Sequence, residues 1–263
     1  MRAILIGRGL LAIGSASVAV LTVYGGESAL LGQSLPHWLP WRDAWIYGCA
    51  LAVLAASVGL CFKRAALVSM SIIAAYYVLW ALTCIPAIEK APLSIGAWYG
   101  LCEAVTSLVG PWILYILFKR QASGLTGTDL RAIRVAQVLF GLTCIFYGWS
   151  HFAFAQYTAG MVPGWLPGRL EWAYLTGLGH IAAGIGIAIG VLPRLAAFLE
   201  AVMMSLFGLL VWVPSFFMQP RPAWAASPQG QWSELILSLV LATSAWIVYG
   251  VIKEHNGATP KAL

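Results

Sequence analysis

The chain has 263 residues, of which 61% are hydrophobic and 9% are charged, and its formal net charge is +6. Soluble domains carry about 25% charged residues, so this composition excludes a soluble protein and predicts an integral membrane protein in contact with the lipid bilayer. The charges lie mostly in short loops and near the termini. This placement is typical of residues that set membrane topology, and it argues against nucleic acid as a partner.

Eight segments of the chain are long and apolar enough to cross a bilayer, which takes about 20 residues of helix. They predict an all-α, polytopic membrane protein with eight transmembrane helices. Their approximate bounds are residues 3–24, 43–62, 65–86, 95–118, 134–156, 171–192, 194–214 and 231–252.

The chain also contains an internal repeat, whose clearest part is a motif of twelve residues. Residues 36–47 (PHWLPWRDAWIY) return as residues 163–174 (PGWLPGRLEWAY), with seven identical positions. Such self-similarity indicates duplication. We therefore predict a first four-helix repeat over residues 1–118, a cytoplasmic linker over 119–133 and a second repeat over 134–263. Because each repeat has an even number of spans, the two should form parallel four-helix bundles.

The distribution of Lys and Arg predicts the orientation. Ten of these residues lie at the termini and in the even-numbered connections, and four lie in the odd-numbered connections. Cytoplasmic loops carry the excess of positive charge, so both termini are expected in the cytoplasm.

The five cysteines include no Cys-x-x-Cys pair and no cluster with histidine, so the sequence predicts no metal site. Cys49, Cys84 and Cys102 are expected at a similar depth, where a disulfide could form. The favoured interpretation is that they are small buried apolar residues.

Titratable residues at membrane depth are costly, so each is a candidate for function. The candidates for ligand binding are Glu103, His151, His180 and Glu234, while Arg8 and Glu200 are further charged residues within the spans. Histidine and a carboxyl group could bind a quinone head group and exchange its protons. Two histidines could also ligate a haem iron, a weaker hypothesis because the sequence has no second pair.

Each candidate also has a structural interpretation. A single histidine in a bundle is often a hydrogen-bonded packing residue, and Glu103 or Glu200 could pair with an arginine or a hydroxyl group. In the repeat alignment, His151 corresponds to Tyr24 and His180 to Val53. A single site is therefore expected in the second half.

The second half resembles the DoxX-like family of four-helix bacterial membrane proteins. The segments that carry the resemblance are 147–152 (YGWSHF), 162–167 (VPGWLP), 176–184 (TGLGHIAAG), 211–214 (VWVP) and 231–235 (QWSEL). The resemblance covers about residues 134–252, and the first half looks like a diverged copy. It implies an up-down four-helix bundle in a bacterial inner membrane, with His151, His180 and Glu234 in recurring polar positions. Some relatives are membrane subunits of thiosulfate:quinone oxidoreductases, and the family supplies no catalytic motif for this chain.

These observations favour an integral membrane subunit of a redox system, such as a thiosulfate- or quinone-linked one. It would hold a quinone or another small lipophilic ligand near His151 and His180. A redox partner subunit would supply electrons, because the chain has no glycine-rich phosphate loop between a strand and a helix. The alternatives are a non-enzymatic assembly or anchoring subunit and a small-molecule transporter.

Overall fold

A computed structural model of the protein describes residues 2–26, 34–225 and 227–257, with the side chains of residues 5–26, 34–225 and 227–252. The described residues form an all-α structure of nine helices. These are α1 (Arg2–Gly25), α2 (Arg42–Gly59), α3 (Ala66–Lys90), α4 (Ile95–Lys119), α5 (Gly127–Ala153), α6 (Ala155–Met161), α7 (Arg169–Ile189), α8 (Pro193–Ser215) and α9 (Pro228–Gly257).

Seven of the described helices are long and apolar enough to cross a membrane, namely α1, α3, α4, α5, α7, α8 and α9. The chain is therefore a multi-pass integral membrane protein. The predicted span 43–62 corresponds to α2, which has 18 residues and begins with the charged pair Arg42 and Asp43. With these two charges included, α2 is not among the described helices that are long and apolar enough to cross a membrane.

The predicted linker is shorter in the structure, because α5 begins at Gly127 rather than near residue 134. Thr126 and Asp129 form a reciprocal cap: Asp129 N donates to Thr126 Oγ1 over 3.2 Å, and Thr126 N donates to Asp129 Oδ2 over 2.8 Å. Arg120 adds an ion pair with Asp129 at 2.8 Å. Such a capping box satisfies amide groups that have no partner within the helix, so it starts α5 inside a polar segment.

The helices of the two halves pack in the same order. In the first half α1 packs on α2, α2 on α3 and α3 on α4; in the second half α5 packs on α7, α7 on α8 and α8 on α9. Between the halves, α1 packs on α9, α4 on α5 and α4 on α9. These three contacts are symmetric between the halves: if α1 and α5 are interchanged, and α4 and α9 are interchanged, the same three pairs of helices are in contact. Buried side chains from both halves join one continuous hydrophobic core.

The repeated Pro-x-Trp-Leu-Pro motif has the same backbone in both copies. In each, the leucine N–H donates to the carbonyl of the first proline, over 3.1 Å between Leu39 and Pro36 and 3.0 Å between Leu166 and Pro163. The residue after the second proline is left-handed, Trp41 with φ 58° and Gly168 with φ 67°. Helices α2 and α7 begin at the next residue. The two copies therefore share local structure as well as sequence.

An arginine on α1 caps the end of α2, and an arginine on α5 caps the end of α7. The Arg8 guanidinium donates to the carbonyl of Leu60, next to the end of α2. Arg134 donates to Ile187 O over 2.8 Å and to Ala188 O over 2.5 Å, near the end of α7. Arginine suits this position because the last carbonyls of a helix lack partners within it. The Arg8 charge within the first span therefore has a structural role.

All five cysteines are free thiols. Cys84 and Cys102 are buried, Cys49 is half-buried, and none of the three forms a disulfide.

Candidate functional site

Helices α5 and α7 approach closely at two pairs of glycines. A Cβ atom on Gly148 would lie 2.4 Å from the carbonyl oxygen of Gly177, and one on Gly141 would lie 2.6 Å from that of Gly184. No side chain fits at such a distance, so glycine permits the backbones to touch. The approach brings the C-terminal residues of α5, including His151, against α7.

His180 and Glu200 form a buried pair between α7 and α8. His180 Nδ1 lies 2.7 Å from Glu200 Oε1, and the exposed fractions of the two residues are 2% and 0%. The second carboxyl oxygen, Oε2, has no hydrogen-bond partner among the described residues, although the Cys144 thiol lies close by. A buried pair of this kind contributes little to stability after its desolvation, so it is a candidate for function.

His151 lies beside this pair, on the last turn of α5. Its Nδ1 is 3.0 Å from Thr176 Oγ1 and 3.3 Å from the carbonyl oxygen of Ala173, both on α7. Its ring meets the His180 ring edge to face, with 5.2 Å between centroids. Gly177 makes room for it, because a Cβ atom there would lie 2.8 Å from His151 Cβ.

Phe207 on α8 covers both imidazole rings. Its centroid is 5.9 Å from that of His151 and 5.6 Å from that of His180. The backbone immediately after it, Gly208–Trp212, forms a π-helical turn. Pro214 explains this turn, since proline cannot donate within a helix and its ring clashes with the carbonyl four residues before it. Such turns are frequent at functional sites.

Tyr147 connects the histidines to the first half of the chain. Its ring lies 6.1 Å from the His180 ring, and its hydroxyl lies 3.0 Å from Thr106 Oγ1 on α4. Thr106 Oγ1 in turn lies 2.7 Å from Thr143 Oγ1. The three hydroxyl groups form a buried network between the halves, and Thr143 also donates to the carbonyl of Phe140.

The structure divides the four predicted residues into two groups. It brings His151 and His180 into contact, whereas Glu103 lies on α4 and Glu234 on α9, two helices that pack on each other. Glu103 is half-buried and Glu234 is exposed. Partial burial, together with the nearby Glu234 carboxylate, raises the pKa of Tyr157, whose hydroxyl donates to Trp224 O.

Glu200 is the residue that the site prediction left out. Helices α7 and α8 form a hairpin with a tight turn, so residues at equal distance from the turn meet. At a rise of 1.5 Å per residue, His180 is about 13 Å from the end of α7 and Glu200 about 10 Å from the start of α8. This comparison of distances is the sequence signal that could have paired them.

The corresponding positions of the first half are apolar. Val53 corresponds to His180, and Met70 corresponds to Glu200 when residues are counted from the matched Arg64 and Arg194. Both are almost fully buried. Within the described part of the chain, no group of three or more His, Cys, Asp or Glu residues could hold a metal ion.

A comparison with protein families matches residues 140–249 to a domain of unknown function, DUF8561. This stretch is less than half of the chain; it includes His151, His180, Glu200 and Glu234 but not Glu103. The matched family is not the DoxX-like family that the sequence resembles. No curated protein and no solved structure matches the chain.

Proposed function

We propose that the protein is a membrane subunit of a redox system and holds a quinone or another small lipophilic ligand beside His151 and His180. The observation that carries the proposal is the His180–Glu200 pair, fully buried in a membrane helix bundle and in ring contact with a second histidine. Phe207 and Tyr147 supply aromatic surface next to His180. His151 is only half-buried, so it marks the side from which a ligand would enter.

Electrons would come from a partner subunit, and a thiosulfate- or quinone-linked system is the favoured setting. The resemblance to the DoxX-like family supports this setting. Glu103 and Glu234, the other two residues of the sequence-based prediction, would supply a separate acidic group on α4 and α9. The first alternative is an anchoring subunit, for which only the bundle surface matters.

We further propose that α2 is an eighth span and that the two halves are parallel four-helix bundles, with both termini in the cytoplasm of a bacterial inner membrane. The repeated helix order and the shared motif support this arrangement. At 1.5 Å per residue the 18 residues of α2 measure about 27 Å, close to the hydrocarbon thickness of about 30 Å.

Reporter fusions test the topology. If α2 spans, a reporter at the N-terminus and one in the 120–126 connection report the same side of the membrane. If α2 does not span, three crossings separate the two sites, and the reporters lie on opposite sides.

Ligand content tests the proposed function. Protein purified in mild detergent is extracted with organic solvent, and the extract is analysed for quinones by chromatography and mass spectrometry. We expect bound quinone in the wild type, loss in His151→Ala and His180→Ala, and retention in His37→Ala, a control at an exposed histidine. Absence of quinone from the wild type, or equal retention in all variants, would reject the ligand site. A partner that still co-purifies with the variants would then favour the anchoring subunit.

A further inference from the structure

The hydrogen bonds around His151 determine which of its nitrogens carries the proton. Nδ1 faces the Ala173 carbonyl, which can only accept, and the Thr176 hydroxyl. The Thr176 hydroxyl has one hydrogen, which is directed to the backbone carbonyls of Trp172 and Ala173, at 2.9 and 3.1 Å. It is therefore an acceptor toward the histidine, so Nδ1 carries the hydrogen. A neutral imidazole then has its lone pair on Nε2, which is a hydrogen-bond acceptor.

The opposite assignment follows for His180. An unbalanced charge within the membrane is expensive, so the fully buried His180–Glu200 pair is neutral overall. Glu200 Oε2 has no hydrogen-bond partner in the part of the chain that the structure describes, so a proton on it would be a buried donor without an acceptor. The shared proton therefore lies between Nδ1 and Oε1, in an imidazolium with a carboxylate or in an imidazole with a carboxylic acid. In both forms the second proton of the pair stays on Nε2. His180 Nε2 is therefore a hydrogen-bond donor.

The two touching imidazoles thus offer one donor and one acceptor, and no described residue hydrogen-bonds to either Nε2. We propose that they bind one hydroxyl group of a lipophilic phenol or quinol, which accepts from His180 and donates to His151. This inference rests on the proposed function and specifies the ligand. A quinone carbonyl accepts from His180 but cannot donate, so it leaves His151 unpaired.

Glu200 is a positioning residue in this arrangement, since it acts on the ligand through His180. The aromatic rings of Phe207 and Tyr147 beside His180 suit the ring of a phenol. An acceptor left unpaired in a half-buried site lowers affinity by about tenfold, so we expect at least this preference for hydroxyl over carbonyl or ether oxygen.

A phenol and its methyl ether provide the test without redox chemistry. The binding of 4-hexylphenol and 4-hexylanisole to the purified full-length protein is measured by quenching of tryptophan fluorescence. The ether keeps the acceptor oxygen and the ring but cannot donate. We expect the phenol to bind about tenfold more tightly or better, the preference to vanish in His151→Ala, and both ligands to weaken in His180→Ala. The control His37→Ala should match the wild type.

The outcomes separate the two proposals. Equal affinity for phenol and ether, with both dependent on His180, would overturn the hydroxyl assignment and leave a lipophilic ligand site in place. Binding of neither compound, or binding that is insensitive to both histidine variants, would reject the site as well.

A spectroscopic measurement does not depend on how well the alanine variants fold. In ¹⁵N-histidine-labelled wild-type protein, His151 should show one protonated nitrogen, Nδ1, and His180 should retain a protonated Nε2. Glu200→Gln should change the His180 signals and leave those of His37 unchanged. A purely structural role for Glu200 would not require the His180 signals to change. A His151 protonated at Nε2 instead of Nδ1 would refute the assignment.

Discussion

The first half of the chain supplies a test of why the second half carries a buried ionisable pair. The double variant His180→Val with Glu200→Met copies the apolar residues Val53 and Met70. Removing only one partner leaves the other polar group buried without its hydrogen bond, which costs about 3–5 kcal/mol for an ion pair. Replacing both by apolar residues of suitable size is often neutral or stabilising. We therefore expect each single variant to be strongly destabilised and the double variant to be within about 1 kcal/mol of the wild type.

Thermal unfolding in detergent, followed by tryptophan fluorescence, measures these differences. For a chain of this size, 1 kcal/mol corresponds to about 2–4 °C, so the single variants should unfold roughly 6–20 °C below the wild type. The double variant should unfold near the wild type and yet lose the ligand. A double variant as unstable as the single ones would refute the reasoning, because the polar pair would then contribute to folding itself.

Four further predictions concern the fold. Gly148→Ala should lower the free energy of unfolding by roughly 1–3 kcal/mol, because its Cβ atom would lie 2.4 Å from a backbone oxygen of α7. Gly179→Ala is the control, since the nearest atom to its Cβ would be 3.5 Å away. Equal melting temperatures for the two variants would contradict the close approach of the helices. Gly168→Ala should lose about 1 kcal/mol in the same assay, since its φ of 67° is unfavourable for alanine; an unchanged melting temperature would contradict the left-handed backbone. Arg134→Ala should cost about 1–3 kcal/mol by leaving two carbonyls of α7 without their donor, and an unchanged chemical-denaturation midpoint would argue against the cap. Maleimide labelling followed by mass spectrometry should modify the exposed Cys61 before the three buried cysteines, and early modification of those three would contradict the packing.

The positions of the helices could be predicted from the sequence because membrane spans need a fixed length of apolar residues. The first and last residues of the helices were less predictable where a helix continues into a polar segment. Helix α5 begins at Gly127 because Thr126 and Asp129 cap it, although the surrounding segment is polar. The spacing of Thr126 and Asp129 matches a capping box, so this start was recognisable from the sequence.

The partners of the buried residues were harder to predict. A soluble helix shows its buried face through a stripe of apolar residues, but α7 is apolar on most of its surface, so the sequence does not fix its rotation. The contacts that fix it are the glycine pairs with α5, which turn His180 toward Glu200 and His151 toward Thr176. Depth along a helix could be predicted from the sequence, whereas the direction in which a side chain points could not.

The comparison of the two halves bears on function as well as on fold. Both halves use the same helix order, the same motif backbone and an arginine cap, so these features belong to the shared fold. His180 and Glu200 are different, because the first half fills the corresponding positions with Val53 and Met70 and is equally buried there. An apolar solution to the packing problem therefore exists within this same chain. A buried imidazole and a buried carboxyl group at those positions are not required by the architecture, and the chemistry of a ligand is the reason we favour for their presence.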